Sequence, residues 1–474
     1  MYSPVTWRRR ARTVLLALLA TPIGASPQVA EDPLVGIWEG ILDAGTSQVR
    51  LVLHVSRDEA GTLAAALDSP DQGAVGIAAT SASSQGGAFA FQFASLGAAF
   101  EGSLSEDGRA LEGDFSQGPV VLTLRMERTD APSEPERPQH PRPPFPYRVE
   151  EARIDDGGAD VVLAGTLTLP EGPGPFPAAV LVSGSGPQDR DESLMGHKPF
   201  LVLADHLTRA GIAVLRYDDR GVGRSTGSFA TATTDDFTTD ALAAVRFLDA
   251  RDDIGAVGIV GHSEGGLVAP LAASRSSTVR FVVLLAGPGL TGAEILDLQA
   301  AMINRAAGAP EEVIRANRAL QGTRFVILRA EPDPERAAPL LRQALREGQP
   351  AGAPTPSPQA LEAEVRQLNS PWFRFFLDYD PRPALETVRV PVLALNGELD
   401  LQVPPTANLR EVREALERGG NPDVTATMLP GLNHLLQPAR TGAPDEYARI
   451  RETMSPVALR AVSGWILERF RPGR

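Results

Sequence analysis

The sequence contains no cysteine, which excludes a disulfide, a thiolate metal site and a cysteine nucleophile. Histidine is scarce too: there are six, none in a close-spaced ligand pattern, which argues against a histidine-built metal site. Positive charge is outnumbered, and a formal net charge of −14 argues against nucleic acid or an anionic membrane surface as partner. The apolar run Val14-Leu15-Leu16-Ala17-Leu18-Leu19-Ala20 is too short to span a bilayer. The 43% hydrophobic and 22% charged residues are ordinary for a globular protein. A length of 474 residues allows two or three domains, one of them a large α/β unit.

The short apolar run follows a basic region, Arg8, Arg9, Arg10 and Arg12, and small residues around Gly24-Ala25-Ser26 offer a cleavage site after Ala25. This is the pattern of a secretory signal peptide over residues 1–25. It predicts an exported protein, periplasmic or secreted, without stable membrane insertion.

Residues 33–128 differ from everything after them. Val49, Leu51, Leu53 and Val55 alternate with polar residues, as do Phe89, Phe91 and Phe93 and then Leu122, Leu124 and Met126. Period two, punctuated by Gly, Ser and Asp clusters, predicts a small all-β domain, either an antiparallel sandwich or a barrel-like sheet. Residues 129–148 form a linker rich in proline (Pro132, Pro135, Pro138, Pro141, Pro143, Pro144 and Pro146), which favours an extended, semi-rigid spacer. From 149 to 474 strand and helix patterns alternate, with strands at 161–169, 178–182, 212–217, 256–260, 281–285, 390–395 and 424–429. Helices are expected at 199–209, 234–250 and 456–470. Alternation of this kind predicts an α/β fold: a mostly parallel sheet with helices on both faces, and a site beyond the carboxyl ends of its strands. Residues 287–386 break the rhythm, reading as helix at 295–305, 310–320, 334–346 and 360–367. They predict either a helical cap above the site or a helical layer remote from it.

The chemistry centres on Gly261-His262-Ser263-Glu264-Gly265, between a short apolar strand and a small-residue helix. A serine on so tight a strand-to-helix turn stands proud of the sheet edge, and flanking glycines let strand and helix approach. A hydroxyl nucleophile needs a base, and the base an orienting carboxylate. Asp400 follows the strand at 390–395 and His434 follows the last strand, in the order Ser…Asp…His. Ser263 is therefore the expected nucleophile, His434 the base and Asp400 the orienting acid, with Glu398 as the alternative acid. His262 is expected to point away from the pocket, His197 and His206 to be structural, and His54 and His140 to lie in the β domain and the linker. Acyl transfer also needs oxyanion donors. The Glu264 N–H is one; the Ser185 N–H, in the loop Ser183-Gly184-Ser185-Gly186-Pro187-Gln188-Asp189-Arg190-Asp191, is the other, to within one residue. Tyr217-Asp218-Asp219-Arg220-Gly221 lacks the features of a phosphate loop and reads as a structural turn. Trp372, Phe373 and Phe376 are candidates for an apolar substrate pocket, and core packing is the competing role for part of this cluster.

Over residues 149–474, these three loops together resemble the α/β-hydrolase superfamily, in particular a bacterial subgroup of carboxylesterase, dienelactone-hydrolase-like and serine-aminopeptidase-like proteins, several with an N-terminal β domain. The resemblance implies a serine hydrolase that needs no metal or organic cofactor. Ser183 departs from relatives with histidine before the glycine, which bears on the oxyanion loop and not on the nucleophile. The function expected is cleavage of small-molecule carboxylic esters through an acyl-enzyme. A peptidase acting on short peptides is the alternative, and a non-catalytic binding protein a more distant one; the oligomeric state is left open.

Overall fold

Period-two patterning in the first third of the chain becomes nine strands: β1 (Gly36–Asp43), β2 (Gln48–Arg57), β3 (Leu63–Ser69), β4 (Ala74–Ala78), β5 (Ser81–Gln85), β6 (Ala88–Phe93), β7 (Ala98–Leu104), β8 (Ala110–Gln117) and β9 (Val120–Thr129). The structure is a computed structural model that describes residues 32–43, 48–58, 61–70, 74–118, 120–133, 137–155, 161–349 and 357–470; the expected signal peptide lies outside them. The nine strands form one sheet, ordered β4-β3-β2-β1-β9-β8-β7-β6-β5, and every pairing is antiparallel. The two end strands are consecutive in the chain, and the Ala79 N–H between them donates back to Ala65 on β3. The sheet therefore curls into a half-barrel around Trp38, Leu53, Phe91, Phe93, Phe100, Leu111 and Met126. Of the two readings left open by the sequence, the barrel-like one describes this sheet and the two-sheet sandwich does not.

The described end of the proline-rich segment is bonded to the α/β domain. The Arg137 guanidinium donates to the carbonyls of Met195, Ala448 and Ile450, and Gln139 bonds the backbone of Thr453 and Met454.

The second sheet contains β10 (Arg148–Asp155), β11 (Val162–Leu169), β12 (Phe176–Val182), β13 (Ala213–Tyr217), β14 (Ile254–His262), β15 (Val279–Leu285), β16 (Val392–Gly397) and β17 (Val424–Leu429). Its order is β10-β11-β13-β12-β14-β15-β16-β17; β11 pairs antiparallel with both β10 and β13, and every other pairing is parallel. All seven residues of β12 are buried, as expected of a strand covered on both faces. One face packs on α2 (Thr234–Asp249), α3 (Gly265–Arg275) and α10 (Pro405–Arg418), and the other on α1 (Pro199–Arg209) and α11 (Pro456–Phe470). Crossovers place the loops after β12, β13, β14, β16 and β17 at one end of the sheet, where the site is built.

Between β15 and β16 the chain makes α4 (Gly292–Ala306), α5 (Glu311–Ala330), α6 (Pro334–Glu347), α7 (Pro358–Leu368), α8 (Pro371–Asp378) and the single turn α9 (Arg382–Leu385). Asp333, Ser357 and Ser370 cap α6, α7 and α8, each followed by a proline in the first turn. The helices share an apolar core that includes Phe325, Leu341, Leu345, Leu361 and Phe373. Among the described residues no helix is long and apolar enough to cross a membrane.

Candidate active site

Strand β14 ends at His262 and α3 begins at Gly265, leaving Ser263 on the turn with φ +50°, a left-handed conformation costly for a residue with a side chain. The Ser263 N–H donates to Leu285 at 2.9 Å and its carbonyl accepts from Gly266 at 2.8 Å, so the turn is held from both sides. A Cβ on Gly261 would lie 1.9 Å from the Gly265 carbonyl oxygen, and one on Gly265 would lie 2.2 Å from that of Val182. Neither position admits another residue without moving backbone.

Asp400 is fully buried in the loop after β16. Its Oδ1 accepts from the Gln402 and Val403 N–H groups at 2.8 Å each; its Oδ2 accepts from His434 Nδ1 at 2.9 Å and Asn396 Nδ2 at 3.2 Å. With Nδ1 donating to a carboxylate, Nε2 is the nitrogen of a neutral His434 that can accept a proton. Ser263 and His434 line the same cavity, of about 230 Å³, together with Ser185 and Gln402. Glu398 lies apart, accepting from the Gly431 N–H at 3.0 Å.

The loop after β12 also lines the cavity, through Gly184, Ser185 and Gln188. Gly184 donates its N–H to Glu192 Oε1 at 2.8 Å. Glu192 had no signal in the sequence. It reaches the site from the far end of a loop with no fixed spacing, and its Oε1 also lies 2.7 Å from His262 Nδ1. His262 is buried against this carboxylate and borders the cavity, rather than pointing away from it as its place in the turn suggested.

Two further carboxyls, those of Glu264 and Asp219, lie close to the serine turn. The Glu264 side chain accepts from Thr234 Oγ1 at 2.7 Å, and Trp372 Nε1 donates to both its oxygens at 2.8 Å; burial pushes its pKa up to about 7. Asp219 accepts from the Ser183 hydroxyl at 3.1 Å and the Gln188 N–H at 3.0 Å, yet burial, assisted by the Glu264 and Asp240 charges, pushes it from 3.8 to about 8. Asp218 and Arg220 of the same turn bond Arg190 and Asp240.

The raised Asp219 makes stability depend on pH. The folded protein holds this proton more tightly than the unfolded chain does, so stability is lost as pH rises from the ordinary carboxylate range towards about 8, and the loss levels off above that. The slope is at most about 1.4 kcal/mol per pH unit. Asp219→Asn is isosteric and does not ionise. Denaturant unfolding of the variant and the wild type, compared from about pH 5 to about pH 9, is expected to show the variant gaining relative stability up to about pH 8 and no further. A difference that does not change with pH would contradict a raised pKa at this site.

A second chamber of about 390 Å³ adjoins Ser185 and is lined by Gly186, Pro187, Phe229, Gln367, Ser370 and Trp372. Of the three aromatic candidates, Trp372 faces this chamber. Phe376 stacks on Trp372 with centroids 5.2 Å apart, and Phe373 packs in the core of the inserted helices. His197 is buried between Thr453 and the Tyr447 carbonyl, where burial pushes it down to about 4. His206 bonds Ser463, and His54 bonds Asp68 in the β domain.

Residues 198–328 match the family model described as serine aminopeptidase, S33. Esterase EstD of Thermotoga maritima is 38% identical over 154 residues, which cover 32% of this chain and 36% of that protein. The match thus spans little more than a third of the relative. Among solved structures, Est1E from Butyrivibrio proteoclasticus with ferulic acid bound is similar at 17% identity over 67% of this chain and 98% of that one, with a TM-score of 0.38. Proline iminopeptidase of Mycobacterium smegmatis is similar at 19% identity over 67% and 98%, with a TM-score of 0.41.

Proposed function

We propose that this protein is an exported serine hydrolase of the α/β-hydrolase fold that cleaves small-molecule carboxylic esters through an acyl-enzyme. The observation that carries the reading is His434, bonded to the buried Asp400, facing one cavity with Ser263. In the reaction, Ser263 Oγ attacks the ester carbonyl while His434 Nε2 takes its proton, which then passes to the departing alcohol. Asp400 holds the imidazole in the tautomer this requires. The Glu264 and Ser185 N–H groups stabilise the tetrahedral oxyanion; the N–H of Gly184, engaged by Glu192, leaves that part to Ser185. Water activated by His434 then releases the acid. The inserted helices act as a cap: Trp372 bonds the carboxylate beside the nucleophile and walls the second chamber.

The S33 match keeps a peptidase reading in view, and one observation weighs against it. Removal of an N-terminal residue requires an anion to hold the substrate ammonium. Both Glu264 oxygens accept from Trp372, Glu192 is engaged by His262 and Gly184, and the residues lining the second chamber carry no charge. An uncharged chamber suits an apolar or aromatic ester group. The test is hydrolysis of p-nitrophenyl esters of graded chain length beside aminoacyl p-nitroanilides. Ester cleavage with silent anilides is expected; faster cleavage of the anilides would make the enzyme a peptidase.

A further inference from the structure

Beside the His434–Asp400 pair lies a second buried histidine–carboxylate pair, His262–Glu192, with the two imidazole centroids 4.9 Å apart. His262 Nδ1 is 2.7 Å from Glu192 Oε1, and Nε2 is 3.1 Å from the backbone carbonyl oxygen of His434. Both partners are acceptors. A neutral imidazole carries one N–H and would leave the other nitrogen's lone pair against an oxygen lone pair, whereas an imidazolium donates to both. The groups facing this ring are Glu192, His434 and, further off, Asp400. Burial opposes the charge, but the Glu192 carboxylate, the His434 carbonyl and Asp400 outweigh it and shift His262 upward.

The pair joins three segments that must keep register for the reaction. Glu192 also accepts the Gly184 N–H, fixing the loop that carries Ser185; His262 immediately precedes Ser263; and His262 Nε2 grips the backbone of His434 itself. Glu192 has φ +52°, a left-handed conformation that a side chain makes costly and that surrounding structure must enforce. We propose that Glu192 is a positioning residue: with His262 held as an imidazolium, it sets the oxyanion loop and the general base relative to Ser263.

The inference rests on the serine-hydrolase reading of Ser263 and His434. Glu192→Gln keeps the shape and an oxygen for the Gly184 N–H but loses the charge that holds the second proton on His262. In the wild type, nitrogen-15 NMR just above the ordinary imidazole range, at about pH 7, is expected to show both His262 nitrogens protonated, and in Glu192→Gln only one. Phosphonylation of Ser263 by a fluorophosphonate and kcat for a p-nitrophenyl ester should each fall about 10- to 100-fold, with KM little changed. A singly protonated His262 in the wild type overturns the inference even if the variant does not fold. Equal labelling rates in a folded variant overturn it as well. A wild type not labelled at Ser263 brings down the functional reading and this inference with it, which separates the two kinds of failure.

Discussion

Ser263→Ala is expected to abolish turnover while leaving the fold untouched. The variant removes one oxygen, and the bonds that hold the turn are made by backbone atoms of Ser263 and by Gly266 and Leu285. Alanine meets the same strain at φ +50° as serine does, so thermal unfolding should be unchanged. The rate on p-nitrophenyl esters should fall by about 10⁵- to 10⁶-fold, leaving only what oxyanion donors and substrate positioning supply without a nucleophile. Retention of even a few per cent of the wild-type rate, in protein shown by mass to be free of wild type, would remove Ser263 from the chemistry. The same variant tests the binding-protein reading, in which the β half-barrel meets a partner and the hydrolase half is silent. On that reading both proteins are inactive and neither takes up a fluorophosphonate.

Much of this architecture was legible because it is local. Buried parallel strands are short apolar runs, and β17 and α11 fall at the residues their patterns marked. The serine turn was legible for a steric reason, since contacts of 1.9 and 2.2 Å at Gly261 and Gly265 leave no choice of residue. Asp400 was separable from Glu398 by position alone only to within two residues; the bond from His434 Nδ1 to Asp400, whose other oxygen the Gln402 and Val403 amides anchor, favours Asp400. Helix α5 runs to Ala330, ten residues beyond the expected end, because Phe325 and Leu328 are buried in the core of the inserted helices, which one helix's periodicity does not reveal. The same core claims Phe373. Glu192 was invisible for the opposite reason: His262 is brought to it by the sheet, and Gly184 by the fold of a loop that no spacing rule describes. Whether the first domain is one curled sheet or two packed sheets depends on pairing between strands distant in sequence, such as β1 with β9, and period two is the same in both.

Asp400→Asn should cost nearly as much as loss of a reacting group, although its shape is unchanged, because of which oxygen the amide can replace. Oδ1 of Asp400 accepts from two backbone N–H groups at 2.8 Å, and these donors cannot turn away. In Asp400→Asn the side-chain oxygen is therefore not free to face His434: it stays on the two backbone amides, and the NH₂ group takes the place of Oδ2. There it points at His434 Nδ1 and at the Asn396 amide, which donates to Oδ2 at 3.2 Å in the native protein. Two donors facing one another force Asn396 to turn and force the His434 ring to present Nδ1 as an acceptor. A neutral imidazole that accepts at Nδ1 carries its proton on Nε2, the nitrogen that must receive the proton of Ser263. The base is then present, correctly placed and in the wrong tautomer. A loss of about 10⁴-fold in kcat is expected near neutral pH, with KM little changed. Recovery of rate at alkaline pH, where hydroxide can replace the missing base, would distinguish a tautomer defect from a collapsed site; a loss that is equal at every pH would point to collapse.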